Sequence, residues 1–308
     1  MTAESTSIAV KGISGTRRRP GNPLLGTRGA WFGVLPFSLY VLVFLGLPLY
    51  VVVHGAFTTD AGQLTWKNFA TTFTHSQYAV AFKNSLLLSA WTALLGAVLG
   101  TWLAAAAAAG KPGGMLQRVI STAAAVLAYF AGVPLAFAFI ASLGRAPGGV
   151  ITVALKHLGL DLYAHGFNVS SLFGVGLCYV YFQVPLMVIL ITPALEGLRP
   201  QWREAAESLG ASRLSYLRHV AVPVMAPAFI GSLLILFGNA FSAYATALAL
   251  VGPSIPLVPA AINAAVNGNV LADQDRIALA LGVEMIVIVM VVMTGYWLVQ
   301  RRARKWLR

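Results

Sequence analysis

Charge is scarce in this chain. Of its 308 residues, 10% are Asp, Glu, Lys or Arg, while 58% are hydrophobic and mean hydropathy is +0.78. An ordinary soluble domain carries about a quarter charged residues. So few charges cannot solvate the surface of a water-soluble globule, so lipid is the natural solvent and the whole length fits one membrane domain. Acid is scarcer still: nine Asp and Glu face 21 Lys and Arg, for a net charge of +12. A basic balance of that size raises nucleic acid as a partner. Placement argues against it, because the cations sit in the tails and in short loops rather than on a solvated basic face. Cys178 is the single cysteine and lies inside an apolar run. It permits no intrachain disulfide and no cysteine metal cluster, and it reads as a small buried hydrophobe. No G-x-x-x-x-G-K-[ST] nucleotide loop is present, and Gly110-Lys111 lacks the glycine-rich cradle. No catalytic cluster or nucleophile motif stands out either. His157 and His165 share a loop without a matching set of metal ligands.

Long apolar runs are what the sequence has in abundance. Six are long enough to cross a hydrocarbon core that takes about 20 helical residues: 31–57, 84–109, 118–143, 172–195, 224–251 and 277–300. Backbone groups in lipid must be paired internally, so these runs are expected to be helices, and the fold class is an all-α membrane bundle. Residues 1–30 are polar and read as a cytoplasmic tail. The run after them is too long for the apolar region of a signal peptide, so it is read as a retained first span. Residues 301–308 form a basic tail. With both termini in the cytoplasm, the outer segments hold only Lys67, Lys83, Arg145, Lys156 and Arg276, and the remaining sixteen of the 21 cations lie inside. That asymmetry sets the expected orientation. In the second span, Gly96-x-x-x-Gly100 and the run Ala104–Ala109 allow close helix approach. Pro36, Pro48, Pro134, Pro185, Pro193 and Pro227 fall in or near spans, where each tends to kink a helix.

The loop from Glu196 to Pro223, on the cytoplasmic side, is the most charged internal stretch. It carries helix signals. Pro200 suits a first helical turn. Gln201 to Leu209 are good helix formers with Glu204 and Glu207 early in the run. Gly210 stands where a left-handed cap is expected, and a second short helix is expected from Ser212 to about Pro223. Trp202, Ala205, Ala206 and Leu209 recur at helical spacing as one small apolar side. A groove on a partner protein and the head-group surface of the membrane both fit such a side.

Glu204-Ala205-Ala206, three residues, Gly210, nine residues and then Val220-x-Val222-Pro223 resembles the EAA loop of the permeases of binding-protein-dependent ABC importers. The family pattern ends I-x-L-P; Val220 and Val222 depart from it conservatively. The resemblance covers about Lys83 to Gln300, including the Asn84-Ser85-Leu86 opening of the second span. It implies the type I importer permease fold in the bacterial inner membrane, with 84–300 as the core. It also implies that 196–223 is a coupling loop that docks in a cleft of a separate ATPase subunit. In that reading Ala205 and Ala206 permit close docking, Glu204 pairs with a basic or amide group, Gly210 makes the turn and Pro223 ends the loop. The implied partners are an ATPase dimer, a second permease (heterodimer preferred to homodimer), an extracytoplasmic substrate-binding protein and membrane lipids. ATP and magnesium would be bound by the ATPase, with no cofactor in this chain, and the chain is expected to be a transport subunit rather than an enzyme.

Four polar positions inside spans are candidates for the translocation path: Glu284, Asn239, Ser242 and Gln183. Each reads equally as a hydrogen-bonding partner that holds helices together. The Ser208-Leu209 pair before Gly210 resembles permeases for polyamines, sulfate or molybdate, ferric iron, thiamine or phosphonates. Sugar permeases more often carry Ile-Asp there. A small charged solute, polyamine-like first, is the expectation, with sugar or glycerol-phosphate second. A secondary transporter or channel is the rival class; it calls for internal repeats and more intramembrane charge than this chain holds.

Overall fold

The computed structural model describes residues 27–110, 114–252, 254–267 and 274–306, with only the backbone for 27–33, 274 and 303–306. Most of the expected N-terminal tail and the last two residues of the C-terminal tail therefore lie outside the described residues. The chain separates into two compact units, residues 1–51 and residues 52–308. The first contains α1 (Thr27–Val41), a π-helical turn (Leu42–Gly46) and the start of α2 (Leu47–Ala56). Its leucines, valines and phenylalanines from Val34 onward, Val41 apart, are exposed, the surface expected of a rod whose solvent is lipid.

The second unit holds α3 (Lys67–Thr74), α4 (Ser76–Ala108), α5 (Met115–Tyr129), α6 (Val133–Leu143), α7 (Val150–His157) and α8 (Leu172–Glu196). It continues with α9 (Pro200–Ser208), α10 (Arg213–Tyr216), a second π turn (Leu217–Ala221) and α11 (Val222–Ser242). The last helices are α12 (Ala245–Val251), α13 (Val258–Asn267) and α14 (Gln274–Trp306). Among the described residues there is no strand, only one isolated bridge between Thr58 and Leu64. The expected all-α class holds.

The α4–α8 pair is the centre of this unit. A Cβ on Gly96 would stand 2.6 Å from the Gln183 Cβ, and one on Gly100 would stand 2.6 Å from the Val184 carbonyl oxygen. The small residues singled out in the sequence are thus where two backbones meet. Gly176 of α8 does the same for the Trp91 ring of α4, 1.9 Å from where a Cβ would sit. Leu236 of α11 joins Ala93, Ala97, Met187 and Ile191 in one fully buried core. Leu88, Leu135, Val175, Tyr179 and Phe182 form another.

Two spans differ from their expected form. The third, expected as one helix over 118–143, is two helices, α5 and α6, bent by 103°. Pro134 has no N–H to give the Phe130 carbonyl, and Gly132 adopts φ +76°, a turn that residues with a Cβ resist. The fifth, expected to run to residue 251, stops at Ser242, and α12 starts afresh at Ala245. There the Tyr179 hydroxyl donates to the Ala243 carbonyl at 2.5 Å, satisfying a backbone group that the break would leave bare in an apolar setting. Pro185, Pro193 and Pro227 do not break their helices: α8 and α11 run through them.

Candidate functional site

The loop 196–223 folds as its local signals dictate. Pro200 opens α9 at the first turn, where a missing N–H costs nothing. At the other end, the Gly210 amide donates to the Glu207 carbonyl at 3.0 Å and the Ala211 amide to the Ala206 carbonyl at 2.9 Å. That paired pattern is a Schellman cap, and it requires Gly210 at φ +76°. Two residues on, Ser212 caps α10 by accepting from the Ser215 amide at 3.2 Å. Four residues, Leu209–Ser212, link α9 to α10. The expected second short helix does not stop near Pro223: α10, the π turn and α11 run on as one helix over Arg213–Ser242, the π turn carrying it past a proline that has no N–H to donate.

No residue of α9 is buried. Its ion pair, Arg203 with Glu207 at 3.6 Å, and the hydrogen bond from the Ser208 hydroxyl to the Glu204 carbonyl stay within the helix. Glu204 and Ala205 are exposed, and Leu209 and Leu214 are 88% and 77% exposed. The expected single apolar side divides in two: Trp202 and Ala206 are half-buried, while Ala205 and Leu209, one turn apart, face out. Pro223 is exposed at the start of α11, where Leu217–Ala221 widens to a π turn. At the neighbouring end of α8, the Gln117 side chain of α5 donates to the Glu196 carboxylate at 3.0 Å.

The four intramembrane candidates are not brought together. Asn239 and Ser242 lie one turn apart and exposed near the end of α11, and the Ser242 hydroxyl donates to the Gly238 carbonyl at 2.9 Å. Gln183 has no exposed surface; its amide nitrogen donates to Thr92 of α4 at 2.9 Å. Glu284, half-buried on α14, accepts at Oε1 from the Thr72 hydroxyl of α3, while its Oε2 is buried without a hydrogen-bond partner among the described residues. Gln183 thus links α8 to α4, and Glu284 links α14 to α3.

Sequence reasoning missed several side chains that hold the loops around these spans. Asn84 donates to the Pro256 carbonyl at 3.1 Å, and the Val258 amide donates to the Ser85 hydroxyl at 3.0 Å. The Asn-Ser opening of the expected second span therefore anchors the connection between α12 and α13. In the 158–171 loop, Asp161 accepts from the Tyr163 and Ala164 amides. The Ala164 amide above all, with Lys156 beside it, holds its carboxyl below the usual carboxylate range. This turn keeps its bonds until acid protonates Asp161 below that range. Among the described residues no group of three His, Cys, Asp or Glu is placed to hold a metal.

The family described as "Binding-protein-dependent transport system inner membrane component" matches residues 96–305, well over half of the chain. The chain belongs to this family. It is the membrane-spanning permease subunit of an ABC importer, a transport subunit rather than an enzyme. Curated relatives agree. The sulfate transport system permease protein CysT of Salmonella typhimurium is 24% identical over 219 residues, covering 70% of this chain and 72% of the relative. The spermidine/putrescine permease PotC of Escherichia coli is 24% identical over 257 residues, covering 82% and 89%. PotC of Haemophilus influenzae is 26% identical over 245 residues, covering 79% and 88%. Among solved structures, a bacterial ABC transporter involved in import of the acidic polysaccharide alginate matches with TM-score 0.71 and 20% identity, over 90% of this chain and 95% of that chain. The alginate transporter in complex with an alginate pentasaccharide-bound periplasmic protein gives 0.72 and 21%, over 89% and 94%. At that identity the structures establish a shared fold.

Proposed function

We propose that this permease passes a small charged solute, polyamine-like first, from an extracytoplasmic binding protein to the cytoplasm, driven by a separate ATPase dimer docked on α9. The observation that carries the coupling role is the exposed, locally capped α9. It offers Ala205 and its C-cap Leu209 to a partner, with Leu214 of α10 exposed nearby in the chain, while the ion pair of the helix engages Glu207 and leaves Glu204 exposed beside it. A short amphipathic helix of this kind fits a groove on another protein. Glu204 pairs with a basic or amide group there, Ala205 and Ala206 admit the groove wall, Gly210 fixes the turn and Pro223 ends the loop.

Both termini lie in the cytoplasm, an orientation the cation asymmetry supports, which puts α9 on the ATP side. ATP and magnesium bind the ATPase, and this chain holds no cofactor of its own. A second, related permease completes the pathway in preference to a second copy of this chain. Asn239 and Ser242, exposed beside the break in α11, line the path, while Gln183 and Glu284 hold helices. The polyamine and sulfate permeases among the relatives support a small charged solute; the alginate transporters, which share the fold, keep sugar uptake as the second reading. Ligand screening of the cognate binding protein by thermal shift tests the solute: stabilisation by spermidine or putrescine supports it, and stabilisation by a sugar alone refutes it. For the coupling role, Glu204→Lys should leave the protein inserted but abolish solute-stimulated ATP hydrolysis in the reconstituted complex; full stimulation would refute it.

A further inference from the structure

The outer connection between the first two spans contains a helix with its polarity reversed. On α3, Asn68 and Thr72, one turn apart, are buried at 6% and 1% exposure. Trp66 at its N-cap and Phe73, two turns later on the same side, are 74% and 73% exposed, and Leu64 just before is 83% exposed. The two buried side chains of α3 are polar, Phe69 is half-buried, and the two large rings Trp66 and Phe73 face out, with Lys67 and Thr74 exposed beside them.

The buried side is tied down. The Asn68 amide donates to the Ala56 carbonyl at 2.9 Å and the Thr58 carbonyl at 3.2 Å. Thr72 donates to Glu284, and Arg276 of α14 donates to Thr58 and to Asp60, each at 3.2 Å. The Thr72–Glu284 bond sets the height of α3 on α14, and Thr58, bonded to both Asn68 and Arg276, ties the start of α3 to the same helix. Glu284 lies seven residues inside Ile277, where the apolar run of α14 begins, so Thr72 meets the span about 10 Å below its end at ~1.5 Å per residue. An interfacial helix buries its apolar face about 5–10 Å into the boundary between head groups and acyl chains. The depth set by the polar contacts is that depth.

We propose that α3 is a membrane-embedded strap whose Trp66–Phe73 face is covered by phospholipid of the bilayer. Trp66 sits at the interfacial level that aromatic rings favour, and the exposed Lys67 beside it reaches the phosphate layer with its stem along apolar surface. The inference requires only that α14 spans the membrane; the orientation above makes the leaflet the outer one. Glu284 acquires a role: it is a positioning residue that seats the strap.

The test places a nitroxide at Phe73→Cys and, separately, at Trp66→Cys, in a Cys178→Ala background, in the full chain co-purified with its transport partners. The proteins are reconstituted in nanodiscs of phosphatidylethanolamine and phosphatidylglycerol. Collision with oxygen and with a water-soluble nickel chelate is measured, and His165→Cys, in an exposed loop, serves as the aqueous reference. Trp66 packs against the Phe57 and Phe69 rings, so the Phe73 variant carries the test should Trp66→Cys fail to fold. The expected result is strong relaxation by oxygen and loss of the nickel effect seen at position 165. Nickel relaxation equal to that at 165 would overturn the proposal, showing a water-facing surface. Protection from both agents would overturn it as well, showing that another protein covers the face.

Discussion

Of the short helices outside the spans, α9 and α3 are built in opposite ways. On α9, no side chain is buried, and its ion pair and side-chain hydrogen bond close on the helix itself. On α3, two polar side chains are buried and bonded to groups 10 to 212 residues away. The first is held in shape by its caps and leaves its surface free for a partner. The second is held in place by the body and cannot move without breaking buried bonds. A helix that transmits motion between proteins needs the former construction; a helix that braces a span needs the latter. Altering α9 should therefore change coupling without stability, and altering α3 should change stability without coupling.

Gly210→Val gives the largest effect expected on the α9 side. A β-branched residue in the left-handed region costs about 1–2 kcal/mol, enough to shift the local conformation roughly 5–30-fold. Solute uptake should fall by about tenfold, while thermal unfolding of the purified protein stays unchanged. A lowered melting temperature with normal uptake per folded molecule would break the comparison. Thr72→Val on α3 should do the reverse. It removes the hydroxyl that serves a half-buried carboxylate, a loss of about 1–3 kcal/mol. The melting temperature should fall, and uptake per folded molecule should be retained. Arg276→Gln sharpens the contrast with the smallest effect. Its partner Asp60 is 59% exposed at the side chain, so the pair contributes at most about 1 kcal/mol, and the melting temperature should drop less than for Thr72→Val.

Legibility in the sequence follows the range of the interactions. Spans are readable because length and hydropathy are properties of a single segment, and α9 is readable because Pro200, Gly210 and Ser212 act on their own neighbours. The close approach at Gly96 and Gly100 is readable as a spacing, although not which helix fills it. The bend at Gly132 is hidden because apolar residues flank it on both sides and five prolines besides Pro134 offer competing kinks. The break at Ala243 depends on Tyr179, 64 residues away. For α3 the signal points the wrong way: eight residues are too few for a span, and its buried face is the polar one. The partner of Glu284 is hidden because Thr72 lies 212 residues distant.

Docking of α9 on the ATPase can be read from a cysteine at its exposed face. With Ala205→Cys in a Cys178→Ala background, the account predicts a disulfide or short cross-link to a cysteine in the groove of the ATPase subunit, and protection of residue 205 from a water-soluble maleimide in the assembled transporter. Equal maleimide reactivity with and without the ATPase, in every nucleotide state, would contradict it.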